Sequence, residues 1–230
     1  MKTSLESYQN DFFSKLDNYT KFLFFVRDKE LQIAAINELK ELKEKISVDK
    51  QRCISIKNEP MANCILSDEC LIQIYINLLT MIVNLKNNEP SKAWDHMVMA
   101  ENNMRWAKSA ARNMFNINDG EIYNMIQFYE KYIFPHQMYN SIEAIYSTSK
   151  CSICNSEYGE CNHIKGRAYM GEFCYEVISD IQSMPAIAIV EEPASKLHRI
   201  THVSEGTRMI DVMTLKESEE KTEKIEKLIK

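Results

Sequence analysis

The run Cys151-Ser-Ile-Cys154-Asn-Ser-Glu-Tyr-Gly-Glu-Cys161-Asn-His163 restricts this chain more than any other segment. Three thiols and an imidazole within 13 residues can close a tetrahedral shell around one Zn²⁺ and leave no coordination position open. The Cys-x₂-Cys step is the strongest element, because a tight turn brings both sulfurs to one ion while backbone amides support the thiolates. Cys161 and His163 must then present alternate side chains, as an extended or turning segment does. Cys174 is the rival for the fourth place, since Gly166 and Gly171 can fold it back toward the cluster.

The rest of the composition favours helices. Glycine and proline number only 5 each in 230 residues, and hydrophobic residues make up 45%. A many-stranded sandwich would need a turn signal every ten residues or so. Thr3 and Glu6 have capping-box spacing. Leu5, Tyr8, Phe12, Leu16, Tyr19, Leu23 and Val26 follow at steps of three and four. The stripe continues through Ala35, Leu39, Leu42 and Ile46, either as one long helix or as two with a break near Asp28. Residues 47–66 lose the period, and Asn58-Glu59-Pro60 supplies a breaker, so a loop is expected there.

Ser67 offers an N-cap for a helix over 68–86. Its polar residues Gln73, Asn77, Thr80 and Asn84 lie on one narrow stripe, which marks it as the central helix of a bundle. The same interruptions make Cys70 to Leu85 a poor membrane span. Pro90 opens the next helix, whose seam is Ala93, Met97, Ala100, Met104, Ala107 and Ala111. Small residues there permit close approach of a neighbour. Asp119 can cap a helix bearing Ile122, Met125, Phe128, Tyr129 and Tyr132, and Pro135 ends or kinks it. The sum is an antiparallel helical bundle.

After Lys150 short apolar runs appear at 186–190, 197–203 and 209–215, with lengths that suit strands. The end carries four Glu-to-Lys pairs at i,i+4, from Glu217–Lys221 to Glu226–Lys230, which support a solvated helix. We therefore expect a mainly α chain, α+β overall. It divides into a helical bundle over 1–146, a zinc-stabilised module with short β-strands over 147–215, and a charged helix over 216–230.

The net charge is −5, with lysine and glutamate interspersed, which disfavours nucleic-acid binding by bulk electrostatics. The start of the chain lacks the apolar core of a secretory signal. Seven cysteines, an odd number with four in one region, suit a reducing compartment and a metal site. A cytoplasmic protein is expected, without a membrane partner.

Other constellations are weaker. Glu157 and Glu160 lie within the cysteine loop as formal candidates for a catalytic base, but no substrate pocket accompanies them in sequence. His198 and His202 fall on one side of an expected strand and read as surface histidines. Cys53, Cys64 and Cys70 read as core or loop residues, and Trp94, Trp106 and the 13 methionines as core filler. Nucleotide-binding and hydrolase motifs are absent, as is the zinc-deaminase pattern. Arg199 and His202 lack the wider spacing of HEPN-type ribonucleases.

The segment from Cys151 to about Arg199 resembles a small Cys/His module of tailed-phage and prophage head-associated proteins and of uncharacterised bacterial proteins. The matching residues are Cys151, Cys154, Cys161, His163, Gly166, Tyr169, Gly171 and Cys174, followed by Ile189-Val190-Glu191-Glu192-Pro193-Ala194. The resemblance covers about a fifth of the chain and implies metal binding. It does not imply proteolysis, since no His/Ser pair is placed for it. From these features we expect a non-enzymatic, zinc-binding interaction subunit of a larger assembly, linked to phage or anti-phage biology. Its partner is then a protein, a second copy of the chain included. The alternative is a nucleic-acid-binding accessory factor using Lys165, Arg167 and Tyr169, and a metal-dependent hydrolase stands third.

Overall fold

Asp28 decides where the first helical stripe breaks. Its carboxylate accepts the amides of Glu30 (2.9 Å) and Leu31 (3.2 Å), which caps a new helix and ends the one-helix alternative. In a computed structural model that describes residues 2–110 and 120–218, with side chains from Tyr8 onward, α1 spans Lys2–Thr20 and α2 spans Lys29–Ser55. Phe12 and Leu16 are buried as their spacing requires, and Leu23, past the end of α1, is buried as well. Val26, beyond the end of α1, is 90% exposed.

Residues 47–66 are not a loop. α2 runs on to Ser55, and α3 spans Glu59–Lys86. The Asn58-Glu59-Pro60 signal is real but sits at a helix start: Asn58 accepts the amide of Met61 at 3.3 Å, and Pro60 occupies the first turn, where its missing donor costs nothing. Ser67 therefore lies inside α3 rather than at its cap. Its buried hydroxyl donates to the Ala107 carbonyl at 2.9 Å. The helix begins nine residues earlier than expected because Ala62, Cys64, Ile65 and Leu66 are buried by neighbouring helices, and tertiary packing overrides weak local periodicity.

α3 is the central helix, buried along most of its length against α2 and α4. α4 spans Pro90–Ala110, and its seam residues Ala93, Met97, Ala100, Met104 and Ala107 are all buried. The polar stripe of α3 is a seam between helices. Lys43 of α2 donates to Gln73 at 2.6 Å, Gln73 donates to Asn77 at 3.3 Å, and His96 of α4 meets Asn77 at 3.3 Å. Length and composition would let α3 cross a membrane, but 89% of its most apolar window is buried within the protein. α5 spans Gly120–Tyr132. The expected positions of Ala111 and of the Asp119 cap, and the Glu/Lys helix beyond residue 218, lie outside the described residues.

The chain is mainly α with a small antiparallel β part. β1 (Tyr139–Cys151) pairs with β4 (Glu176–Val190), β2 (Ala168–Tyr169) with β3 (Glu172–Phe173), and β5 (His202–Glu205) with β6 (Arg208–Asp211). β1 replaces the last part of the expected helical region. β4 begins ten residues before the apolar run at 186. The run at 197–203 becomes strand only from His202, and Gly206 (φ +64) opens the turn to β6.

Contacts group the described chain into two units. The first holds α1–α4, the start of α5 and Lys150–Val177. The second holds Asn124–Ser149 and the chain from Ile178. The expected linear boundary at 146/147 falls inside β1. The physical reason that Lys150–Val177 groups with the helices is its hairpin tip. Met170 (φ 48) and Gly171 (φ +79) make the two-residue turn between β2 and β3. There Glu59 accepts the Met170 amide at 3.2 Å, and Asn63 accepts the Gly171 amide at 2.7 Å.

Candidate metal centre

Cys151 ends β1, and the chain then turns twice. The Cys151 amide donates to the Ser156 carbonyl at 2.9 Å, and the Asn155 amide donates to the Cys151 carbonyl at 2.8 Å. Asn155 takes a left-handed backbone (φ 62) and Gly159 another (φ +101), which folds the Cys-x₂-Cys step into a knuckle and returns the chain to Cys161. Tyr158 and Tyr169 then fix the segment that follows His163: their hydroxyls accept the amides of Lys165 (3.1 Å) and Ile164 (2.9 Å).

The outcome is one cluster. The ligand atoms of Cys151, Cys154, Cys161 and His163 all lie within 4.8 Å of one another. Cys151 is buried, Cys161 and His163 are half-buried, and Cys154 is exposed. Nδ1 of His163 is buried and finds no hydrogen-bond partner among the described residues. Its ring meets Tyr169 edge-on at 4.6 Å. A buried ring nitrogen left without a partner is costly, and a metal ion would satisfy it. The donor set thus fits one tetrahedral ion.

The electrostatics of the thiols agree with that role. Burial pushes Cys151 up, but the amides of Cys154 and Ile153 outweigh it and hold the thiol near 7. The amide and hydroxyl of Ser156 lower Cys154. Amide donors of this kind stabilise metal-bound thiolates as well as free ones. Cys174 is also part of the surroundings, with its Sγ 3.7 Å from that of Cys151. Burial and the neighbouring Cys151 push its thiol up to about 11.

The remaining candidates are dispersed. Glu157 and Glu160 are exposed on the loop surface. His202 faces Asp211 at 3.8 Å, and the His198 carbonyl accepts the Asn140 amide at 2.8 Å. Among the described residues neither histidine joins a metal-ligand cluster. Cys64 is buried between α1 and α3, where Gln9 donates to its sulfur at 3.6 Å. Trp94 is core, whereas Trp106 is 48% exposed.

Trp106 belongs to a feature that the sequence reading missed. Together with Ser152, Lys165, Glu172, Phe173 and Tyr175 it lines a cavity of about 810 Å³ beside the cysteine cluster. No linear motif marks it, because α4 and the β2/β3 hairpin bring these residues together across more than 60 positions of sequence. Comparison with protein-family models, curated proteins and solved structures finds no match.

Proposed function

We propose that this chain is a non-catalytic, zinc-clamped interaction subunit that assembles with further copies of itself through the β1/β4 ribbon. The observation that carries the reading is the surface of that ribbon. Ile142, Ile145, Ile181, Met184, Ile187 and Ile189 are all exposed on it. A two-stranded ribbon is marginal alone in water, and a long apolar strand edge invites pairing. From 139 to 149 and from 178 to 190 the only charged residues are Glu143 and Asp180, so two copies would meet with little like-charge repulsion. The residues suit a second copy of the same surface, an isologous contact.

Zinc is the ion that three thiolates and one imidazole favour. A shell of four protein donors leaves no position for a substrate, which supports a structural role over a hydrolytic one. The likeness of residues 151–199 to modules of phage head-associated proteins supports a place in phage or anti-phage biology, by association alone.

Light scattering of the purified full-length chain across a concentration series tests the assembly. A dimer or larger species is expected, and Ile181→Lys with Ile187→Lys should convert it to monomer with unchanged far-ultraviolet circular dichroism. A monomer at every concentration contradicts the reading.

The cavity beside the metal centre supports a second reading, in which Trp106, Phe173 and Tyr175 stack on a base of single-stranded nucleic acid and Lys165 meets its phosphate. Against it, Lys165 already faces Glu176 at 3.5 Å, and Tyr169 is engaged in holding the loop. Salt-dependent binding of a labelled oligonucleotide that is lost in Trp106→Ala would favour it. No binding at low salt rejects it.

A further inference from the structure

A fifth donor borders the four-residue cluster: the sulfur of Cys174 meets that of Cys151. The Sγ atoms of Cys151 and Cys174 are 3.7 Å apart, and both residues are 1% exposed. With metal–sulfur bonds of about 2.3 Å, two sulfurs on one tetrahedral ion sit about 3.8 Å apart. The Cys151–Cys174 separation therefore equals the edge of a tetrahedral sulfur shell.

The backbone fixes that placement. The Cys174 amide donates to the Arg167 carbonyl, and the Gly166 amide donates to the Cys174 carbonyl, each at 2.8 Å. One residue on, Tyr175 and Ser152 are joined twice: the Ser152 amide donates to the Tyr175 carbonyl at 3.0 Å, and the Tyr175 amide donates to the Ser152 hydroxyl at 2.9 Å. The link between β3 and β4 that carries Cys174 is thus stitched directly to the knuckle carrying Cys151. Gly166 (φ +81) makes the turn that allows it.

Resting on the metal-binding reading above, we infer that Cys174 is an exchangeable fifth ligand of the metal centre. It takes the place of His163, so that one thiophilic divalent ion is held either by three sulfurs and an imidazole or by four sulfurs. In the exchange the metal–nitrogen bond to His163 breaks and a metal–sulfur bond to Cys174 forms. The Cys174 thiol gives its proton to solvent, and the shell gains one negative charge. No electrons move. His163 is the donor suited to leave, because it is the one neutral nitrogen donor among thiolates and a thiophilic ion holds an imidazole less tightly than a fourth thiolate.

Cobalt(II) loaded into the full-length protein reads this directly, since sulfur-to-cobalt charge-transfer absorbance scales with the number of thiolates. Wild type, His163→Ala, Cys174→Ser and the double variant are each titrated. His163→Ala should still bind one equivalent in a four-coordinate site, with charge-transfer absorbance about one third above that of Cys174→Ser. The double variant should bind at least tenfold more weakly than either single one. If His163→Ala instead shows three sulfurs, matching the double variant, Cys174 is no ligand and the inference is overturned while the metal site stands. Wild type that takes up no cobalt overturns both. Should His163→Ala lose its circular dichroism signal, His163→Asn keeps a polar side chain there and is read by the same two criteria.

Discussion

Asn63 holds Gly171: its side-chain oxygen accepts the glycine amide at 2.7 Å, while its side-chain nitrogen donates to the Ala168 carbonyl at 3.3 Å. One residue of α3 thereby bridges β2 and the turn of the β2/β3 hairpin and fastens the cysteine-bearing segment to the helices. A β-carbon on Gly171 would stand 3.3 Å from the side chains of Lys50 and Ile54, and its φ of +79 is one that other residues rarely adopt. We expect Gly171→Ala to destabilise the protein by about 1–2 kcal/mol and Asn63→Ala by about 1–3 kcal/mol, because two backbone groups lose their partner. Urea denaturation of the full chain measures both. No change in either variant would mean that the hairpin is not held there.

Asp68 gives a pH dependence. It is buried in α3, and desolvation raises its carboxyl from the ordinary range to about 7, with Glu69 adding to the rise and Tyr8 opposing it. The folded state thus binds a proton more tightly than the unfolded state does. The stability this contributes is complete below about pH 4, the ordinary carboxyl value. It is lost as pH rises to about 7, and the slope is flat above. We expect Asp68→Asn to stabilise the protein at pH 8 by on the order of a few kcal/mol and to be neutral near pH 4. Denaturation at the two pH values checks it, and equal effects at both would contradict it.

Ser67 separates a helix cap from a helix interior. At a cap, Ser67→Asp would be tolerated or favourable. Because Ser67 is buried and donates to Ala107, Ser67→Asp should cost more than Ser67→Ala, for which about 1 kcal/mol is expected. Thermal melts of the two variants give the order directly.

The legible parts of the fold were those with strong periodicity or strong chemistry. The seam of α4 at Ala93, Met97 and Ala100 could be read because small apolar residues recur at helical spacing over several turns. The clustering of Cys151, Cys154, Cys161 and His163 could be read because thiols and imidazole at close spacing have few other uses. What escaped was set by distant contacts. Residues 59–66 look aperiodic, yet they are helical because both faces of α3 meet other helices, so no single stripe is selected. β1 was hidden because Ser141, Ile142, Ala144 and Ile145 fit a helix as well as a strand, and only the pairing with β4 decides. Asp180 marks that pairing: its left-handed backbone (φ 58) and its acceptance of the Ser147 hydroxyl at 2.5 Å emerge only once the two strands meet.

Metal content measured together with stability tests the centre most directly. We expect the purified full-length protein to carry one zinc per chain by elemental mass spectrometry. Both a strong chelator and Cys151→Ser should lower its melting temperature by more than about 5 °C, given that each kcal/mol moves a chain of this size by about 2–4 °C. Protein free of zinc, with a Cys151→Ser variant that melts with wild type, would contradict the metal clamp and everything built on it.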